Sequence, residues 1–541
     1  MRFAVVPVRV IAGVALLLAI VLPNAGCTTG PVQWVRNGFK VGPDYCRLPA
    51  PVADGWIDGE DGNLRSQAAD YSYWWATFDD PVLNELVEVA YRQNLPLKIA
   101  GMRVLEARAQ LGVARGSLLP QQQRAIGAFS RSQLSENSFP FGEFPLPKMA
   151  FDTWSAGFDA AWELDFWGRF RRAVESADAS LNAQIENYDD ALVILQAEVA
   201  ATYIQLRTLE DRLALARKNV EIQKNTFRIT QDRFNQGVVS ELDVKQALSI
   251  LGATESLIPV LQTAHRQTQN RLCTLLGMPP AEVGAELGHS GRIPSPPPEV
   301  AVGIPADLLR RRPDVRRAER QAAAQCALIG VAESELYPHI AITGTIAFEA
   351  ERFDDLFKGG SIAGMVGPGF RWNILNYGRI RNGIDVQDAR FRQLVLQYQE
   401  TVLRANEEVE NAIAAYLGEQ QRVKSLQISS SATADAVALA NAQYQQGLID
   451  FQRVLDSQRA LVLQQDTLAE SRGKVALSLV TLYKALGGGW QMRFRPGPAA
   501  AVPPNSTPFQ EEPLLPAQPI PQPRPQPAMP APPANLNNIT Y

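Results

Sequence analysis

The chain has 541 residues, of which 46% are hydrophobic and 20% charged, and its formal net charge is -4. This balance gives no reason to expect a nucleic acid or an acidic substrate as a partner. The three histidines stand singly and the four cysteines show no metal-type spacing, which argues against a histidine-based catalytic site, a metal centre and a disulfide framework. We therefore predict that the protein is not an enzyme and holds no cofactor or metal.

The N-terminus has the order of a secretory signal. Arg2 and Arg9 precede an apolar run over residues 10–22, which is followed by small residues directly before Cys27. The run is too short for a membrane span, which needs about 20 residues. Two small residues before a cysteine are typical of a bacterial lipoprotein signal, so we predict removal of residues 1–26, a lipid on Cys27 and a lipid-anchored segment over residues 27–80. The alternative is a secreted protein in which this cysteine has no special role.

The remainder of the chain is one unit written twice. Trp167-Gly168-Arg169 recurs as Tyr377-Gly378-Arg379, and Phe234-Asn235-Gln236-Gly237 recurs as Tyr444-Gln445-Gln446-Gly447, both at an offset of 210 residues. We place the first repeat at residues 81–277 and the second at 305–490, with a Pro-rich linker over 278–304. The two copies are expected to have the same fold.

Each repeat contains a very long helix. Apolar or small residues follow steps of 3 and 4 from residue 185 to residue 220, and again 210 residues later, which is the spacing of helices packed side by side. An unbroken helix over residues 166–236 would be on the order of 100 Å long. Gly237 and Gly447 then mark hairpin tips, because a glycine in the left-handed conformation can end a helix and begin its return.

Each repeat also contains a β-hairpin, at residues 121–165 and 338–373. Three of the four strands alternate strictly between apolar and polar residues, and aromatic residues lie toward their ends, as in a membrane barrel with lipid outside and water inside. A half-buried strand of a soluble sheet alternates in the same way, but an exported chain favours the barrel. The residues predicted to face lipid are Trp154, Phe158, Trp162, Ile340, Ile342, Ile346, Phe348, Phe370 and Trp372.

Four strands cannot form a closed barrel. Since open sheet edges are not tolerated in hydrocarbon, other subunits must complete the wall. The smallest membrane barrels have about 8 strands, so either a dimer or a trimer satisfies the count. The strands alone do not decide between them.

Two further segments have biased composition. Residues 491–541 are rich in Pro, Gln and Ala, and we predict a disordered, extended tail. Six arginines lie between residues 310 and 320. They could indicate nucleic acid binding, but an exported chain has no obvious access to it, so we predict a structural role.

Several motifs resemble one family. They are Val41-Gly42-Pro43-Asp44-Tyr45, Phe78-Asp79-Asp80-Pro81, Arg311-Arg312-Pro313-Asp314-Val315-Arg316 and Tyr483-Lys484-Ala485-Leu486-Gly487-Gly488-Gly489-Trp490. The chain is similar here to the TolC-like outer membrane factors, in particular the NodT-type lipoproteins of resistance-nodulation-division efflux pumps. The resemblance implies a mainly α protein with a membrane β-barrel: a trimer whose 12-stranded barrel continues into a long periplasmic helical barrel.

The resemblance also implies a constriction at the hairpin tips, where acidic side chains ring the pore. Asp456 falls on a gate position of the family, Arg453 stands where some members have a second acidic ring, and Asp243 takes the related position in the first repeat. Three carboxylates around one axis would attract cations. The alternative for all three residues is a solvated charge on a helix surface.

We therefore predict a passive exit duct in the outer membrane, which exports drugs, metals or other small toxic compounds. Its expected partners are two further copies of the chain, a periplasmic adaptor protein, an inner-membrane pump and the outer-membrane lipids. One alternative is the exit duct of a type I protein-secretion system. Another is a structural envelope lipoprotein without a channel, which would not explain the amphipathic strands.

Overall fold

The computed structural model describes residues 30–65, 70–133, 150–280, 292–297 and 299–494. The predicted signal, Cys27, residues 134–149 of the first predicted hairpin, part of the linker and the tail beyond residue 494 lie outside the described residues. The helices are α1 Pro31–Arg36, α2 Pro81–Gln93, α3 Leu95–Gly116, α4 Arg169–Asn235, α5 Glu241–Leu275, α6 Leu308–Arg311, α7 Pro313–Ser334, α8 Arg379–Gln445 and α9 Phe451–Ala485. The strands are β1 Leu64–Arg65, β2 Gln122–Gln133, β3 Ala150–Leu164, β4 Val300–Ala301, β5 His339–Ala350 and β6 Ile362–Arg371.

The predicted repeat is present in the helices. Helices α4 and α8 each have 67 residues and begin 210 positions apart, and α5 and α9 each have 35 residues at the same offset. At 1.5 Å per residue, the two longer helices are each about 100 Å long. The prediction of one very long helix and one returning helix in each repeat is therefore confirmed.

The turns between these helices form for a local reason. Gly237 has φ +73° and Gly447 has φ +75°. After α4, the amide of Gly237 donates to Phe234 O and that of Val238 donates to Arg233 O, at 2.8 and 2.9 Å. This is the Schellman pattern, in which a left-handed glycine satisfies the last carbonyls of a helix. The same two bonds recur after α8.

Sequence signals also set the starts of the shorter helices. Asp80 caps α2 by accepting hydrogen bonds from the amides of Val82 and Leu83. Asn94 caps α3 through the amide of Leu97, and its side-chain nitrogen donates to Leu275 O at 2.9 Å. The second bond is buried and attaches the start of α3 to the end of α5.

The four long strands form one antiparallel sheet in the order β2-β3-β5-β6. The central pair joins the two repeats, because β3 of the first hairpin pairs with β5 of the second. Within the described residues, β2 and β6 each have a strand neighbour on one side only. The predicted linker also contributes structure, since β4 pairs in parallel with β1.

The main core lies where the helices of the two repeats meet. Its largest fully buried side chains are aromatic rings from the 3-10 turn Trp74–Phe78, from α4 and from α8. The ring of Trp74 stacks on that of Tyr483 at 5.4 Å between centroids. The 3-10 turn Trp490–Phe494 follows α9, so described structure extends four residues into the segment predicted as tail.

Candidate channel wall and hairpin-tip constriction

The strand register gathers the predicted apolar residues on one face of the sheet. Phe158 pairs with Ile346, Trp162 with Ile342, and Leu164 with Ile340, which in turn pairs with Phe370. Pairs directly opposite one another share a face. Phe158, Ile346 and Phe370 are strongly exposed in the single chain. Eight of the nine residues predicted to face lipid thus lie on one surface: Trp154, Phe158, Trp162, Ile340, Ile342, Ile346, Phe348 and Phe370.

Trp372 is the ninth, and it lies one residue beyond the end of β6, so it is not part of the strand. The strand β6 ends at Arg371, and the indole Nε1 of Trp372 donates to Leu336 O at 2.9 Å. Leu336 lies between α7 and β5, so this ring is held at the junction of helix and sheet. An indole with an apolar body and one polar atom suits such a boundary.

The opposite face of the sheet is polar. Arg124 of β2 pairs with Asp159 of β3 at 2.8 Å, and Asp159 lies opposite Thr345 of β5. Glu163 accepts a hydrogen bond from His339 at 2.8 Å near the helical end of the strands. A sheet with one apolar and one charged face suits lipid on one side and water on the other.

The two hairpin tips pack on each other through a small apolar cluster. Its buried members are Ala247 and Ile250 of α5, Tyr444 of α8, and Phe451, Val454 and Leu455 of α9. The rings of Tyr444 and Phe451 lie 5.3 Å apart. Behind the tips, the side-chain nitrogen of Gln458 donates to Thr226 Oγ1 at 2.8 Å in a buried position. The tips of the two repeats are therefore joined within one chain.

Sequence reasoning missed the residue that joins them most directly. Arg233, in the last turn of α4, places its guanidinium 4.6 Å from the centroid of the Tyr444 ring and donates a hydrogen bond to Tyr444 O. Burial raises the pKa of Tyr444, and Asp243 adds to the rise, whereas Thr230 and Arg233 oppose it. No local pattern could have shown this contact, because the partners are 211 positions apart.

The three predicted constriction residues have different surroundings. Asp456 is exposed on α9, and one carboxylate oxygen accepts from Gln452 Nε2 at 3.0 Å. Arg453 is also exposed, and its backbone amide donates to the carboxylate of Asp450, which caps α9. Asp456 and Arg453 are thus one helical turn apart, with both side chains accessible.

Asp243 is occupied in a different way. Its carboxylate accepts from Ser240 N and Ser240 Oγ, both at 3.1 Å, and its own amide donates to Ser240 Oγ at 3.4 Å. This reciprocal pair is a capping box that starts α5. The Ser-x-x-Asp pattern in the sequence is the signal that could have shown it. Asp243 therefore stabilises the tip whether or not it also contributes charge to a pore.

The arginine cluster between residues 310 and 320 pairs with acids on neighbouring helices. Arg316 lies 2.6 Å from Glu186, Arg317 lies 2.7 Å from Asp190, and Arg312 lies 2.7 Å from Glu408. These pairs attach α7 to α4 and α8. The contacts support the predicted structural role of the cluster.

Asp189 of α4 lies at the centre of this network and is fully buried. Its carboxylate contacts Arg493 at 2.7 Å and Arg316 at 3.4 Å, and the guanidinium of Arg316 lies 4.2 Å from the ring of Trp490. Burial raises the pKa of Asp189 to about 7, against the effect of Arg493 and with a contribution from Glu186. The 3-10 turn at the end of the fold is thereby attached to α4.

Residues 86–278 and 304–488 match the outer membrane efflux protein family. The chain belongs to this family. It is an outer-membrane efflux channel, and the resemblance to TolC-like outer membrane factors predicted from the motifs is confirmed. The members of the family are transport proteins.

The similarity between this efflux channel and several named proteins extends over most of the length of each of those proteins. Nodulation protein T of Rhizobium leguminosarum bv. trifolii is 31% identical over 467 residues, which is 86% of this chain and 97% of the relative. The pyoverdine export outer membrane protein OpmQ of Pseudomonas aeruginosa is 31% identical over 434 residues, 79% of this chain and 89% of that protein. The solved structure of the outer-membrane channel OprN is similar with a TM-score of 0.78 at 33% identity, covering 83% of this chain and 99% of that one.

Proposed function

We propose that three copies of the chain close a 12-stranded barrel whose lumen continues into a periplasmic tunnel of helices. The observation that carries the proposal is the four-stranded sheet with one apolar and one polar face, whose edge strands β2 and β6 lack a second neighbour among the described residues. Open edges are not stable in hydrocarbon, so β2 of one copy is expected to pair with β6 of the next. The two 100 Å helices of each chain are long enough to reach far into the periplasm.

The tunnel is proposed to narrow at the hairpin tips. Asp456 is exposed there and its carboxylate accepts a hydrogen bond from the flexible side chain of Gln452, so three copies could face a common axis. Arg453, one turn away, would offset part of this negative charge. Asp243 caps α5, and we assign it the structural role of stabilising the tip beside the constriction.

The channel is proposed to work as a passive part of a tripartite system. A periplasmic adaptor would join it to an inner-membrane pump, which supplies the energy and most of the selectivity for drugs, metals or other small toxic compounds. The name of OpmQ refers to pyoverdine export, in keeping with small-molecule cargo. A lipid on Cys27 is proposed to anchor the chain to the inner leaflet of the outer membrane.

The test is single-channel conductance of purified protein in planar bilayers, with native mass spectrometry of the same sample. We expect a trimer with cation-selective openings, and reduced cation selectivity in Asp456→Ala. The matched control is Asp388→Ala, which removes a partly exposed aspartate of α8 that pairs with Arg392 far from the tip. This control should conduct like the unmodified channel.

Other results would contradict the proposal in distinct ways. A dimer by mass would overturn the 12-stranded barrel. Equal selectivity in Asp456→Ala, Asp388→Ala and the unmodified protein would remove the constriction from Asp456 while leaving the duct. Folded trimers that fail to conduct even with an adaptor present would overturn the duct itself.

A further inference from the structure

The short helix α1 carries an apolar surface that the rest of the described chain leaves uncovered. Val32 and Val35, one helical turn apart, are 77% and 55% exposed, and Phe39 in the turn that follows is 50% exposed. Arg36 is exposed beside them. We call these four residues the N-terminal platform.

The platform is attached at the helical edge of the sheet. On the inner side of α1, the ring of Trp34 contacts Phe39, Phe166 and Trp167 at centroid distances of 4.8, 5.3 and 5.4 Å. The ring of Trp167 stacks on Tyr337 at 4.5 Å. Phe166 and Trp167 follow the end of β3 at Leu164, and Tyr337 directly precedes Pro338 and β5. The platform therefore lies level with the ends of the strands.

Two arginines of α4 hold the chain that leaves the platform. Arg171 donates to Gly38 O at 2.7 Å and to Phe39 O at 2.9 Å. Arg172, almost fully buried, donates to Val41 O at 3.0 Å and to Gly42 O at 2.9 Å. These four carbonyls lie within residues 38–42, so the segment that follows α1 is docked on the channel and α1 is not a free tether.

Close packing fixes the same segment from the other side. A side chain at Gly42 would meet the backbone nitrogen of Gly330 in α7 at 2.8 Å, and one at Gly330 would meet Val41 O at 2.7 Å. The two glycines thus let the segment lie directly against α7. The position of α1 relative to the strand ends follows from this contact.

The sequence before α1 limits its distance from the membrane. Cys27 precedes Pro31 by four positions, and four extended residues span at most about 14 Å. If Cys27 carries a lipid inserted in the inner leaflet, α1 cannot lie farther than this from the leaflet. The strand ends to which it is attached are independently expected at the same boundary.

We infer that the N-terminal platform lies in the inner leaflet of the outer membrane, with Val32, Val35 and Phe39 among the upper acyl chains of phospholipid and Arg36 at the level of the phosphates. This inference rests on the proposed barrel and lipid anchor. A helix lying in the interface with an apolar face and a basic residue beside it binds by burying the first and placing the second near anionic headgroups. The aromatic cluster behind it suits the same depth, where Trp and Tyr are enriched.

The test places an environment-sensitive fluorophore on Val35→Cys in full-length channel that also carries Cys46→Ser. Cys273 and Cys326 are buried, so the new thiol is the intended target. The protein is reconstituted in vesicles of phosphatidylethanolamine and phosphatidylglycerol that contain one lipid with a nitroxide near its glycerol and one with a nitroxide near the end of its acyl chain, so that both the interface and the bilayer centre are sampled. The control is Val260→Cys on α5, with the same residue type and 65% exposure, and the reference is Phe158→Cys on the proposed lipid face.

We expect the two nitroxide lipids together to quench most of the emission at residues 35 and 158 and little of it at residue 260, with the same pattern for Val32→Cys in place of Val35→Cys. Quenching at residue 158 but at neither residue 32 nor residue 35 would overturn the inference, leave the barrel intact and place the platform against water or a second copy. Absence of quenching at residue 158 as well would overturn the proposed barrel.

Discussion

The guanidinium of Arg233 lies 4.6 Å from the centroid of the Tyr444 ring, which attaches the last turn of α4 to the last turn of α8. The same guanidinium donates to the backbone carbonyl of Tyr444. Movement of one hairpin tip away from the other must break both contacts. Arg233 is therefore a determinant of how easily the tips separate.

Replacement of Arg233 by Ala is expected to make the proposed constriction open more often. Loss of a partly desolvated cation–π contact and a charged hydrogen bond weakens tip packing by about 2 kcal/mol, on the order of a thirtyfold shift in the opening equilibrium. Open probability in planar bilayers is the measurement. The control is Arg228→Ala, which removes an exposed guanidinium that donates to Asn225 in the adjacent turn of the same helix. An equal rise in both variants would assign the effect to lost charge and not to the Tyr444 contact.

Two glycines in long helices should respond oppositely to the same substitution. A side chain at Gly473 of α9 would meet Thr208 Cβ of α4 at 3.1 Å and approach its hydroxyl still more closely, whereas at Gly252 of α5 there is open space. Gly252→Ala should stabilise the helix by about 0.5–1 kcal/mol. Gly473→Ala should destabilise the chain by about 1–3 kcal/mol through overpacking. Thermal unfolding of both variants under one condition checks this, and a gain at Gly473 would show that α4 and α9 have room to separate.

The pKa of Asp189 near 7 predicts a pH dependence of stability. Burial raises the folded-state pKa above its unfolded value, so the folded state binds the proton more tightly. The contribution of this group to stability is then fully present below the unfolded pKa, near 4, and is lost as the pH rises through about 7. Thermal unfolding from pH 4 to pH 8 should show this loss, and Asp189→Asn should flatten it. An unchanged slope in the variant would place the dependence on another group.

The two faces of the sheet should tolerate an introduced charge differently. Phe158→Arg puts a cation on the proposed lipid face and should cost about 2–4 kcal/mol if it lies near the middle of the bilayer. Thr345→Arg puts the same cation on the opposite face beside Asp159, where it should have little effect. The amount of assembled channel in outer-membrane fractions is the readout. Equal loss of both variants would contradict the assignment of the faces.

Periodicity made most of the fold predictable from sequence. The 210-residue offset and the 3-4 spacing predict the two matching long helices. The two-residue alternation predicts that Phe158 and Ile346 share one face of the sheet. Both signals are strong because each repeats many times along the chain. The residues that join elements were not predictable in this way. An aspartate within a helix is ordinarily expected on the solvated surface. Asp189 is instead buried, with Arg316 and Arg493 from distant parts of the chain as its ion-pair partners.

The gate assignment shows a second limit. Asp243, Arg453 and Asp456 are all charges near a helix start, and the sequence does not separate one that faces a pore from one that caps a helix. The structure gives Asp243 to the capping box of α5 and leaves Asp456 accessible. The Ser-x-x-Asp pattern indicates the cap at Asp243, but it does not exclude that the same carboxylate also faces a pore, so the sequence alone could not settle its role.

The repeat is faithful in length but not in charge at the tips. Where the first tip has Ser240 and Asp243, the second has Asp450 and Arg453 at the same offset of 210. If three chains surround the axis as proposed, their six tips alternate between these two chemistries. A partner that docks on the tips therefore meets two different sets of three equivalent sites. The channel itself then favours partners that bind with threefold symmetry.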